Sequence, residues 1–138
     1  MFLWKKEFEL GIQSIDQQHK ELLEIGNHIG ELLAEYNDNV DKYDEIIRVM
    51  GDLKDYTLYH FKTEEDLFIK HNYADYAQHK KEHDGFITYL GAVNFNDIDQ
   101  NQKVFLKDLL SKIINWVFKH IMNTDYLYKD YLKGMGVQ

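Results

Sequence analysis

Several features that would quickly suggest a function are missing from this 138-residue chain. There is no cysteine, which excludes disulfides, thiol nucleophiles and thiolate metal sites. There is no proline, and glycine numbers only eight, so little interrupts long helices and a loop-rich fold is disfavoured. No run approaches the roughly 18 to 20 apolar residues of a membrane span. The opening Met1-Phe2-Leu3-Trp4-Lys5-Lys6-Glu7 lacks the apolar stretch of a signal peptide. Positive charge is also short. Sixteen Lys and Arg stand against 24 Asp and Glu, a formal charge of −8. That balance, with no basic stripe, argues against a nucleic-acid partner. An aromatic content of 14% supplies core volume and argues against disorder. The expectation is a soluble, cytoplasmic, acidic domain.

Apolar periodicity divides the chain into four amphipathic segments. Ser14-x-x-Gln17 reads as a capping box that opens a helix over about 14–35. Ile15, His19, Leu22, Gly26, Ile29 and Leu33 then recur at steps of three and four, the spacing of one buried stripe. Asp41 is the expected cap of a second helix over 41–71, with Ile46, Met50, Leu53, Thr57, His60, Glu64, Leu67 and His71 in its seam. Asp75 would cap a third over 75–93, through Tyr76, His79, His83, Phe86 and Leu90. After the polar stretch Asn94 to Gln102, Asp99-x-x-Gln102 is expected to open a fourth over 99–132. Its seam reads Leu106, Leu109, Ile113, Trp116, His120, Thr124, Leu127 and Tyr131. Such helices on short polar connectors imply an all-α, up-down-up-down four-helix bundle. No linker or repeat divides the chain, so residues 1–138 read as one domain. The segment before Ser14 is expected to be an N-terminal arm across the bundle, because Trp4, Phe8 and Ile12 need cover.

The informative residues are those that interrupt the seams. His19, His60, Glu64, His79, His83 and His120 stand where apolar side chains belong, and every helix contributes at least one. An unpaired carboxylate in a dry core costs several kcal/mol or changes its protonation state. Imidazole and carboxylate are good ligands for divalent iron, manganese or zinc, and a bound metal would compensate that cost. His60 and Glu64 are four apart, as are His79 and His83, so each pair projects from one helical face. One such pair is common on solvated faces; two pairs inside apolar seams are not.

His60-Phe61-Lys62-Thr63-Glu64-Glu65, His79-x-x-x-His83 and His120-x-x-x-x-Asp125 together resemble the metal-binding pattern of the hemerythrin family. Trp4, Gly11-Ile12, Ile15-Asp16-x-Gln18-His19-Lys20, Trp116-x-x-x-His120-Ile121 and Asp125-x-x-Tyr128 are similar to its bacterial branch. The resemblance runs from Trp4 to about Tyr128. It implies two iron ions: His79, His83 and His120 on one, His19 and His60 on the other. Glu64 and Asp125 would bridge them together with a μ-oxo or μ-hydroxo group. One iron is then saturated and the other keeps an open position. Asp125 is carried by the resemblance alone, since five residues past His120 it points roughly 140° away on an ideal helix. The implied function is reversible dioxygen binding for storage, transport or delivery, without enzyme activity. An oxygen-consuming protein is a candidate recipient, and the acidic surface leans toward a monomer.

Other functions stay open. One is an oxygen, redox or nitric-oxide sensor, though the chain shows no signalling module. Another is a di-iron redox enzyme acting on peroxide or nitric oxide, though no electron-donor site is visible. A structural zinc bundle is the third. Ferritin-like oxidases use more carboxylates and Glu-x-x-His motifs, and no such motif occurs here. Phe61, Val117 and Ile121 are the expected pocket walls near the open iron, and ordinary core packing explains each equally well. His28 and His71 read as structural, Glu65 and Asp66 as a solvated face, and Lys80-Lys81-Glu82 as surface. Tyr128 reads as a packing tyrosine. Asp16 divides evenly between a partner for the site and a first-turn carboxylate.

Overall fold

The computed structural model describes residues 2–138. After a 3-10 turn at Lys6–Phe8 come helices α1 (Gln13–Ala34), α2 (Tyr43–Lys70), α3 (Tyr76–Gly91) and the short α4 (Phe95–Gln100). A continuous last rod opens as α5 (Gln102–Lys119), passes through a π-helical segment (His120–Asp125) and closes as α6 (Tyr126–Gly134). The four long rods form an up-down-up-down bundle with an N-terminal arm. Helix α1 packs between α2 and α5, and α2 packs on α3. Helices α3 and α5 meet where Phe86 stacks on Trp116, ring centroids 4.3 Å apart. No helix among the described residues is long and apolar enough to cross a membrane.

The helix starts depart from the simplest sequence expectations. Helix α1 begins at Gln13 with Ile12 at its cap position, and the Ser14 hydroxyl donates instead to the Gln138 carbonyl at 3.1 Å. Asp41 works from just outside α2, its carboxylate accepting the Tyr43 N–H at 2.9 Å. Asp75 occupies the α3 cap position without a side-chain bond. The stretch expected as a polar connector holds α4, because Ile98 is fully buried and the Asn94 side chain accepts the Asn96 N–H at 2.8 Å. Asn101, not Asp99, then caps α5, accepting the Val104 N–H at 3.3 Å.

The arm is held at three points. Phe8, Leu10 and Ile12 are buried. Phe8 packs on Trp4 and on Phe118, at 5.6 and 5.2 Å between ring centroids. Asn27 accepts the Phe2 N–H at 2.6 Å and donates to the Phe2 carbonyl at 2.9 Å. The Asp16 carboxylate accepts the N–H groups of Leu10 at 2.8 Å and Gly11 at 3.1 Å. Asp16 is thus a pin for the arm and not a partner of the buried histidines. The turn it pins needs Gly11 at φ +78, a left-handed conformation that costs a side chain roughly 1–2 kcal/mol.

Two apolar clusters fill the bundle. The larger includes Leu53, Ile98, Leu106 and Leu109, and the smaller includes Leu10, Ile15, Phe68, Tyr128 and Leu132. Along α2, Leu53 belongs to the first and Phe68 to the second. His60 and Glu64 fall between them, and the polar layer they begin is as dry as either side.

Candidate metal centre

Seven polar side chains meet in that layer. His19, His60, Glu64, His79, His83, His120 and Asp125 are each at most 2% exposed. Helix α1 supplies His19, α2 supplies His60 and Glu64, α3 supplies His79 and His83, and the π-helical segment supplies His120 and Asp125. Their donor atoms fall into two groups, each within a 4.8 Å span. One comprises His79, His83 and His120 with both acids; the other comprises His19 and His60 with the same two acids.

Asp125 reaches the site because the helix changes pitch. A π-helix bonds each N–H to the carbonyl five residues back, so one inserted residue shifts the phase of everything after it. The seam expected past His120 was Thr124, Leu127 and Tyr131. The buried residues are instead Asp125, Tyr128 and Leu132, each one place later, and Leu127 is 68% exposed. The slip brings the Asp125 carboxylate onto the face of His120, 2.8 Å from its Nε2. Elsewhere the seams differ by smaller amounts: Leu32 and Phe68 are buried where Leu33 and Leu67 are half-buried.

The distances are short. His60 Nε2 lies 2.7 Å from Glu64 Oε1, His19 Nε2 2.9 Å from Asp125 Oδ2, and His79 Nε2 2.9 Å from Asp125 Oδ1. Yet both oxygens of Glu64, both of Asp125 and Nε2 of His19 and His79 are buried without an aligned hydrogen bond. Nε2 of His83 faces Nε2 of His120 at 3.1 Å. Buried polar atoms are normally paired. Donor lone pairs that converge without pairing fit metal ions at their centre, and a borderline divalent metal suits this nitrogen and oxygen set.

Electrostatics agree. Burial pushes the Glu64 pKa up, but His60, His79 and His83 outweigh it and hold the acid well below the usual carboxylate range. Burial and Glu64 raise Asp125, but His120 and His19 outweigh them and lower it. In turn His79, although burial lowers its pKa, is raised to about 10 by Asp125 and Glu64. His120 rises against its own burial through Asp125. The two anions therefore demand positive charge, which protons on imidazole or metal ions can supply.

A protein-family model described as "Hemerythrin HHE cation binding domain" matches residues 10–132. The chain belongs to the hemerythrin family. A bacteriohemerythrin of Clostridium acetobutylicum is 41% identical over 130 residues, covering 94% of this chain and all of that protein. A bacteriohemerythrin of Pseudomonas aeruginosa is 34% identical over 129 residues, covering 93% of this chain and 79% of that one. The wild-type crystal structure of a hemerythrin superposes with a TM-score of 0.77 at 28% identity, covering 96% of this chain and 98% of the other.

Within this hemerythrin, some residues around the site differ from what the sequence suggested. Glu65 is not simply solvated: its Oε2 lies 2.8 Å from His83 Nδ1, with the side chain 19% exposed. Glu82 accepts the Thr124 hydroxyl at 2.9 Å and stands 3.8 Å from His120 Nδ1. Gln18 is buried against His60. Residue 65 is one step from Glu64 on the helix, about 100° around it, and residue 82 sits in a charged run. No pattern within either helix marks them; only the neighbouring rod does. Tyr128 is fully buried and packs on Phe68 and His79. Burial and the Glu64 and Asp125 carboxylates push its phenol well above the ordinary tyrosine range.

Phe61, Val117 and Ile121 are buried in the larger cluster. The Phe61 ring stacks on His83 at 3.8 Å and 5°. His28 is exposed beside Glu31. His71 ends α2, where its carbonyl accepts the Tyr131 hydroxyl.

Proposed function

We propose that this hemerythrin holds two iron ions and binds dioxygen reversibly. The observation that carries the proposal is the pair of donor groups sharing Glu64 and Asp125, one with three imidazoles and one with two. His79, His83 and His120 would hold one iron, His19 and His60 the other, and Glu64 and Asp125 would bridge them beside a μ-oxo or μ-hydroxo group. The inequality of three against two would leave room for a small ligand on the two-histidine side. Ferrous iron, when held by these residues, would supply the electrons that dioxygen binding needs.

The residues of the chain do the rest. The carboxylates would set the separation of the two positions, because both acids belong to both donor groups. The imidazoles are neutral donors, so the set carries only two anionic side chains. A set this poor in anions favours release of dioxygen over deeper oxidation. Phe61, Val117 and Ile121 wall the layer with apolar surface, which keeps water from the bound ligand. The unit of function is one domain over residues 1–138, acting as a cytoplasmic monomer that stores dioxygen or passes it to an oxygen-consuming protein.

The test is optical. Anaerobically reduced, iron-loaded protein exposed to oxygen should gain a visible charge-transfer band that disappears when oxygen is removed, over repeated cycles. A single irreversible change would indicate a redox enzyme or sensor. Zinc in the purified protein, with no response to oxygen, would indicate a structural bundle.

A further inference from the structure

The imidazoles of the two groups are not backed alike. On the two-histidine side, the Gln18 side-chain oxygen lies 2.7 Å from His60 Nδ1. A short chain of bonds fixes its orientation. The Thr63 hydroxyl donates to the Tyr59 carbonyl at 3.0 Å. Toward Gln18 it can therefore only accept, and it takes the amide N–H at 3.2 Å. The amide oxygen must then face the ring, so His60 Nδ1 carries the proton and Nε2 keeps its lone pair for the site.

On the three-histidine side the same tautomer is enforced by a different group. His83 Nδ1 donates to Glu65 Oε2 at 2.8 Å, and an ionised carboxylate only accepts. Here the acceptor bears a full negative charge. His120 Nδ1 makes no hydrogen bond, but a second carboxylate, Glu82, stands 3.8 Å from it. His19 Nδ1 is likewise buried without a partner, but it has no carboxylate beside it. Anionic backing thus lies wholly on one side, and the other has a neutral amide.

We propose that Glu65 and Gln18 are opposed positioning residues that make the two metal positions electronically unequal, with Glu65 enriching the three-histidine side through His83. This rests on the di-iron function proposed above. A carboxylate bonded to a ligating histidine raises the ring's basicity, and losing such a partner typically costs 10–100-fold in metal affinity. An amide orients the ring equally well but adds no charge. Glu65 therefore favours the higher oxidation state on the saturated side, while Gln18 keeps the open side poorer in electrons.

The test swaps the two groups one at a time. Glu65→Gln keeps an acceptor and removes the charge; Gln18→Glu adds a charge on the opposite side. The first readout is stepwise cobalt(II) binding to metal-free protein, and the second is the midpoint potential of iron-loaded protein. Glu65→Gln is expected to weaken one cobalt step about 10- to 100-fold, leave the other within twofold, and raise the potential. Gln18→Glu is expected to strengthen the other step and lower the potential. Shifts of the same sign in both variants, or binding and potentials unchanged in both, would overturn the proposal. If Glu65→Gln does not fold, the sign of the Gln18→Glu shifts decides alone. Failure of the dioxygen function is distinguishable, because the wild-type protein would then hold fewer than two irons or show no reversible band.

Discussion

The apolar end around Leu53, Ile98, Leu106 and Leu109 and the polar layer around Glu64 and Asp125 exclude water equally, each residue being at most 1% exposed. They are stable for opposite reasons. The apolar end is held by removal of hydrocarbon from water, about 25 cal/mol per Å², and needs no solute. The layer places two carboxylates where an isolated charge is very costly, and needs positive charge beside them, as protons on the imidazoles or as metal ions. Burial alone therefore does not distinguish core from site; what a buried group requires to remain there does.

Truncation on each side should give the sharpest contrast. Glu64 belongs to both donor groups, so Glu64→Ala is expected to abolish binding of both metals. The stabilisation a metal gives, about 4 kcal/mol at a thousandfold excess over its dissociation constant, should vanish with it. Leu106→Ala should cost about 2–5 kcal/mol, equally with and without metal, and leave two metals per chain. Chemical denaturation of loaded and metal-free samples, with metal analysis, measures all of these. A Leu106→Ala protein that lost metal, or a Glu64→Ala protein that kept it, would erase the distinction.

Acidity should separate the two forms next. In the metal-free protein His79 rises from 6.5 to about 10. A raised pKa stabilises fully below 6.5, and that contribution is lost as pH climbs through 10. Glu64 and Asp125 are lowered, so their contribution is present above the ordinary carboxylate range and lost in acid. Metal-free protein should thus be most stable near pH 5–6.5 and weaken steadily toward pH 10. The loaded protein should not weaken over that alkaline window, since metal has replaced the protons. Parallel thermal melts from pH 5 to 10 check this; superimposable pH profiles would contradict it.

Much of this was legible in the sequence, and the exceptions share a cause. Six of the seven site residues interrupt apolar seams, and their i,i+4 spacings place them on shared faces, because helical periodicity is local. Asp125 was not legible that way, because an α-helical phase carried past His120 selects Thr124. Glu65, Glu82 and Gln18 were missed because their partners lie on other rods. Helix α4 was missed because only Ile98 in that polar run is buried, while its other apolar residue, Phe95, is exposed.

The phase slip offers a smaller test. Deleting Asn123 would leave Asp125 four residues past His120, which an ordinary α-helix presents on the same face. Two metals should still bind, with Tyr128 and Leu132 still buried. Loss of one metal would mean that the wide turn itself sets the reach of Asp125. Smallest of all is the arm. Gly11→Ala should cost about 1–2 kcal/mol through its left-handed backbone, since the Lys133 ammonium 2.8 Å from the added methyl is the free end of a flexible chain. Metal content should not change, and a melting curve with metal analysis shows both.

The most direct measurement is a stoichiometry. Metal-free protein is titrated anaerobically with ferrous iron to its end point, and the dioxygen then taken up is counted and recovered under vacuum. Two irons and one recoverable dioxygen per chain are expected, because the proposed ligand set would leave only one of the two positions open. One iron per chain, two dioxygen molecules per chain, or dioxygen that cannot be recovered would contradict an unequal, reversible pair.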